Sequence, residues 1–184
     1  MAKKWLNDTY HIVDGNQLML PEYNQWFDMV QRCTSARSKA IRPTYENCTL
    51  YSPWLSYDVY LEWAKTQVGF LVRDPAGKLY QLDKDLLGCD YYGPDVCAFI
   101  PQELNKFLTG SRGNNPVGCS LLPNGKWRVT IRDPFLGKNV HKGCFASLDA
   151  ASSVHTLAKG VLARKLADKW DGELDPRVIA ALRQ

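Results

Sequence analysis

Between Pro21 and Cys33 the apolar side chains Trp26, Met29, Val30 and Cys33 recur at helical spacing, and Pro21 suits a first helical position. This predicts an amphipathic helix with its stripe in a core. Residues 34–53 are polar and interrupted by Pro43 and Pro53, which reads as a long connection. Ser56 then heads a second helix carrying Val59, Tyr60, Trp63 and Ala64 on one face. These aromatics could stack on bases, but packing in a core is the simpler reading. Two short apolar runs follow, 79–83 and 96–100, separated by Gly88, Asp90, Gly93 and Pro94. They predict a β-hairpin with an oversized loop. Pro101 opens a short helix over 102–108, whose Leu104, Phe107 and Leu108 are available to pack back on the hairpin. The run SRGNN at 111–115 cannot form a packed element and marks a linker, dividing the chain into domains 1–110 and 111–184.

Beyond the linker the period becomes two. Trp127, Val129 and Ile131 alternate with Lys126, Arg128, Thr130 and Arg132, the pattern of a strand with one apolar and one cationic face. Asn124-Gly125 is a hairpin turn signal, so 117–122 should pair with this strand, and 140–145 should add a third after a turn at 133–137. Ser147 caps a helix in which Val154, Leu157, Ala158, Val161, Leu162, Leu166 and Trp170 would cover the sheet. A short helix near Pro176 closes the chain. The expected class is α+β: N-terminal helices and a hairpin-helix, then a three-stranded antiparallel sheet packed on one helix.

Composition narrows the class without naming a function. With 184 residues, 45% hydrophobic and 23% charged, and no apolar run long enough to span a bilayer, disordered, collagen-like and membrane-spanning readings are excluded. Met1 to Gly15 holds no apolar leader segment, so a cytoplasmic protein is expected. Six cysteines without a C-x-x-C pair point to small buried thiols rather than to zinc or a disulfide scaffold. Charge is uneven: residues 1–105 hold 10 Lys+Arg against 13 Asp+Glu, and residues 106–184 hold 13 against 6. The basic half is where a polyanion would bind, unless the excess is only a solvated surface.

A three-stranded sheet whose open face carries Lys126, Arg128, Thr130, Arg132, Asn139 and His141 has the shape and charge to enter a DNA major groove, with Lys142 on a phosphate. The strings NGKWRVTIRDP, HKGCF and SLDAASSVHTLA resemble the APETALA/ethylene-response-factor type of DNA-binding domain over residues 117–170. The resemblance implies base or phosphate contacts at Lys126, Thr130, Arg132, Asn139 and His141, and core positions at Trp127, Val129, Ile131 and Phe145. Ser120 and Leu122 stand where that family often has arginine. Upstream, Trp26-x-x-Met29-x-x-Arg32-Cys33, Tyr45-x-x-Cys48, Trp54, Trp63, LDKDLL and YYGPDVCAFIPQELN resemble the HNH endonucleases of tailed phages that carry this DNA-binding domain at their C-terminus. The paired resemblance, spanning 22–170 in order, implies a metal-dependent nuclease acting on double-stranded DNA in the host cytoplasm, built on a ββα-metal hairpin-helix.

Such a site holds one hard cation, Mg2+ or Mn2+, between a carboxylate at the end of the first hairpin strand and a group on the following helix, with a base to activate water. Asp83 and Asn105 are the candidate metal ligands, and Asp85 is a second carboxylate. The resemblance puts Lys84 at the position of the family's general-base histidine and Val96 at that of its middle asparagine. A metal-bound hydroxide or Asp85 would then serve as base, while Lys84 or Lys106 steadies the phosphate. In the alternative reading Asp83, Asp85 and Asn105 only cap local turns, and the chain is a catalytically silent DNA-binding or regulatory phage protein. A third reading has the cationic face contact a protein. Cys33 or Cys97 acting as a nucleophile with His155 is a remote option, since buried thiols suit both positions better.

Overall fold

The structure, a computed structural model, describes residues 10–13, 16–88, 90–109 and 118–184. The SRGNN segment falls outside these residues. The chain is mixed α+β and divides by its contacts into Met1–Ile100 and Pro101–Gln184. That division precedes by ten residues the boundary expected at the polar run, because helix 102–108 groups with the second unit.

In the first unit, β1 (Tyr10–Val13) and β2 (Asn16–Met19) form an antiparallel pair that the sequence pattern did not reveal. α1 (Pro21–Thr34) begins at its proline and buries Trp26, Met29 and Cys33, as the spacing required. The supposed long connection is more structured than expected. It contains α2 (Ala36–Ile41), where the Ser35 hydroxyl accepts from the Ser38 N–H at 3.2 Å, and β3 (Thr49–Leu50). β3 owes its existence to a distant partner: it runs parallel to β5 (Tyr91–Tyr92), a pairing no local pattern encodes. α3 (Tyr57–Lys65) buries Tyr60 and Ala64, while Val59 is exposed.

The expected hairpin forms as β4 (Gln81–Asp83) antiparallel to β6 (Ala98–Ile100), with Asp83 opposite Ala98, and β5 lies in its long loop. The aromatics are core. Trp54 lies 4.4 Å from Trp63 and 5.5 Å from Tyr60 by ring centroids, Trp63 lies 5.9 Å from Phe99, and the Trp26 indole N–H donates to the Trp54 carbonyl at 2.7 Å. Each ring removes a large apolar area from water, and the Trp26 indole N–H has its acceptor.

In the second unit, α4 (Gln102–Leu108) buries Leu104 and Phe107. The antiparallel sheet has the order β7 (Cys119–Leu121), β8 (Trp127–Asp133), β9 (Lys138–Phe145). Gly125 takes φ +77° in the β7–β8 turn, and the Asn124 side chain accepts from the Lys126 N–H at 3.1 Å, which is why Asn-Gly suits this place. At the far end the Asp133 carboxylate accepts from the N–H groups of Phe135 and Leu136. β8 buries Val129 and Ile131 and exposes Arg128 and Arg132, the alternation read from sequence.

α5 (Leu148–Trp170) starts at Ser147, whose hydroxyl accepts from the Ala150 N–H, and seats Ala151 against Val129 and Cys119. Its buried face is Ala151, His155, Leu162, Leu166, Ala167 and Trp170. The predicted stripe is thus corrected at two positions: Leu157 is 72% and Val161 50% exposed. Small Ala151 brings the helix onto the sheet and so fixes its rotation. The helix also runs on to α6 (Pro176–Arg183), whose Val178, Ile179 and Leu182 are buried. No helix among the described residues is long and apolar enough to cross a membrane. Cys33, Cys48, Cys97 and Cys119 are buried and outside any disulfide, but Cys144 is exposed on β9, against the expectation of a buried one.

Candidate functional site

The cationic face of the second unit depends on strand register. Residues paired across an antiparallel ladder share a face. Arg128 pairs with Ser120 and Cys144, Thr130 with His141, and Arg132 with Asn139. Between Val129 and Thr130 the β8–β9 register shifts, so that Val129 faces Gly143 and Thr130 faces His141. Lys142 is the residue left over, a β-bulge. Strict alternation would put Asn139 and His141 on the face opposite Cys144. The bulge instead joins them to Arg128, and it likewise puts Val140 with Phe145 on the apolar side, opposite Ile131 and Trp127.

The predicted DNA-binding residues are brought together here. Lys126, Arg128, Arg132, Asn139, His141 and Lys142 are exposed and Thr130 is half-buried. Between residues 118 and 148 the one acidic side chain is Asp133, and its carboxylate is taken up by its own turn. Among the described residues none of these cations forms an ion pair. The arrangement is a positive surface without internal neutralisation.

The first unit treats its charges differently. Asp83, at the end of β4, is 8% exposed, and its Oδ2 accepts from the Leu86 N–H at 3.0 Å, closing the turn after the strand. Burial pushes this carboxyl above the ordinary aspartate value. Lys84 is 4% exposed, and its ammonium pairs with the Asp85 carboxylate. The ammonium also lies 5.9 Å from the Tyr45 ring centroid and 5.6 Å from that of Tyr92. Burial alone would pull Lys84 down, but Asp85 outweighs it and the group sits above the ordinary lysine value. Lys84 is therefore held as a cation beside Asp83.

Arg32 completes this cluster, donating to the Tyr92 hydroxyl at 3.2 Å and lying over the Tyr45 ring. Beside it Cys33 and Cys48 approach to 3.6 Å between sulfurs. Their shared hydrogen bond raises the Cys33 thiol and lowers that of Cys48, with Lys84 adding to the second effect. Burial pushes Cys97 up to about 12, an inert thiol. Sequence reasoning took Arg32, Tyr45 and Cys48 as parts of a resemblance only. That they surround Lys84 depends on chain-distant packing.

Asp83 belongs to the first unit and Asn105, on α4, to the second. Asn105 is half-buried, and its carbonyl accepts from the Thr109 N–H at 3.0 Å. No family model, curated protein or solved structure matches the chain.

Proposed function

We propose that the chain binds duplex DNA through the β8–β9 face, with phosphates supplying affinity and base edges supplying selectivity. The observation that carries this reading is the shared face of Arg128, Thr130, Arg132, Asn139 and His141, made continuous by the bulge at Lys142 and free of carboxylates. Arginine donors suit guanine edges and an asparagine amide suits adenine, both displayed in the major groove. Titrating a labelled duplex at several salt concentrations tests it. Affinity should fall linearly on logarithmic axes, and absence of duplex binding in dilute salt would overturn it.

A second reading, metal-dependent phosphodiester hydrolysis, draws on Asp83 and its neighbours. Among the described residues no group of three or more His, Cys, Asp or Glu stands ready to cage an ion. Asp83 suits a site of a different kind, one carboxylate supplemented by substrate phosphate and water, as Mg2+ or Mn2+ accepts. A bound divalent ion would supply charge neutralisation at the phosphate. Lys84 contributes a permanent positive charge beside Asp83, and Asp85 holds that ammonium in place. A protonated Lys84 has no lone pair to take a proton from water, so the catalytically silent DNA-binding protein is the rival. Asp83→Asn keeps the acceptor for Leu86 and separates the two. Magnesium- or manganese-dependent cutting by the natural chain, lost in the variant with duplex affinity retained, favours hydrolysis; no cutting by either favours the silent reading.

A further inference from the structure

A groove of about 470 Å3 lies within the second unit, and its walls reach beyond the sheet. Arg128, Thr130, Arg132 and Asn139 of the cationic face line it, together with Lys106 of α4 and Lys159 of α5. It is thus continuous with the face assigned to DNA. Among the described residues no carboxylate lines it. Among the described residues β7 pairs with β8 as far as Cys119–Val129, and the Gly118 carbonyl accepts from the Thr130 N–H at 2.9 Å.

His155, one turn before Lys159 on α5, packs against Gly118. Gly118 holds φ +73°, and a Cβ there would strike the imidazole. This close approach fixes the helix wall beside β7. The Lys159 ammonium lies over the Phe107 ring, 5.4 Å from its centroid, and has no ion-pair partner among the described residues. Burial holds it below the ordinary lysine value, so the site pays for a half-buried cation without internal compensation. The Lys106 ammonium is steadied by the Gln102 side-chain oxygen at 3.0 Å.

We propose that this groove is a second phosphate site, in which Lys159 and Lys106 receive the sugar-phosphate backbone of a DNA strand continuing off the β8–β9 face. It rests on the DNA-binding reading and extends it to two helices that the sheet-centred reading leaves out. The ligand chemistry is a phosphodiester rather than a base, because the added donors are ammonium groups without the planar fork that reads base edges.

The test is duplex affinity against salt for the full chain and for Lys159→Gln, Lys106→Gln and Lys159→Arg. Each glutamine variant should bind every duplex sequence roughly 3- to 10-fold more weakly near 0.1 M salt and lower the salt slope by about one. Lys159→Arg, which keeps the charge, should retain the slope and so separates charge from folding. Leu157→Gln, on the exposed flank of the same helix, should change neither quantity. If the glutamine variants match the natural chain while Arg132→Ala weakens it, the groove proposal falls and the face reading stands. If the natural chain binds no duplex, both fall. If inorganic phosphate at constant ionic strength saturates the groove and duplex does not displace it, the site serves a small free anion and the proposal is likewise overturned.

Discussion

Lys84, buried, and Arg32, half-buried, are cations of the first unit with assigned neighbours, Asp85 for one and the Tyr92 hydroxyl for the other, and the Tyr45 ring lies against both. Arg128 and Arg132 in the second unit are exposed and have no anionic neighbour among the described residues. Formal charge does not distinguish these two sets; their surroundings do. A cation already satisfied inside the fold contributes to stability and specificity of structure, whereas one left without a counter-ion contributes to the field available to an incoming polyanion.

The sharpest way to break this contrast is a crossed pair of substitutions. Lys84→Ala should cost the fold about 2–4 kcal/mol, because it empties a buried stem site against two tyrosine rings. Thermal or denaturant unfolding measures that loss, and the salt slope of duplex binding should not move. Arg132→Ala should do the reverse, leaving unfolding unchanged and costing on the order of 1–3 kcal/mol in binding to a preferred duplex. Lys142→Ala, at the bulge, should weaken all sequences alike and reduce the salt slope by about one. Equal effects of Lys84→Ala and Arg132→Ala on both readouts would erase the distinction.

The smallest expected effect is on pH dependence. Burial raises the Asp83 carboxyl above its unfolded value of about 4, so the folded chain binds that proton more tightly than the unfolded chain does. Its contribution to stability is present below the unfolded value and is lost as pH rises through the folded one. Asp83→Asn removes this titration. Between about pH 4 and neutrality the unfolding free energy of the natural chain should therefore fall relative to that of the variant, by an amount read from denaturant melts at each pH.

Much of the second unit was legible because its determinants are local. The alternation from Trp127 to Arg132, Asn124-Gly125 and the Ser147 cap each act within a few residues, and each element formed where these placed it. The rotation of α5 was not legible, since the contact of Ala151 with Val129 selects a face that counting apolar residues missed. The bulge escaped for a related reason. Val140 and Phe145 are both apolar at an odd spacing, and only the ladder shows how they share a side. In the first unit the hairpin strands could be read, but β3 with β5 could not, because the partners stand about forty residues apart. The candidate chemistry divides the same way. Asp83 was visible as the end of a strand, while the permanent charge of Lys84 follows from Asp85 together with two tyrosine rings that the spacing alone does not bring near. Lys159 went unnoticed because α5 was read only for its apolar positions, although His155 and Lys159 are one turn apart.

The extra residue in β9 also bears on how chains of this kind can diverge in length. Removing Lys142 would leave His141 opposite Thr130 and Gly143 opposite Val129, so a strand shortened by that one position keeps every other side chain on its present side. Loss of a residue from the regular ladder away from the bulge would instead move the side chains between that point and the bulge to the other side. When related chains are aligned, a single-position gap belongs at 141–143, and a gap placed farther along this strand would signal a misregistered alignment.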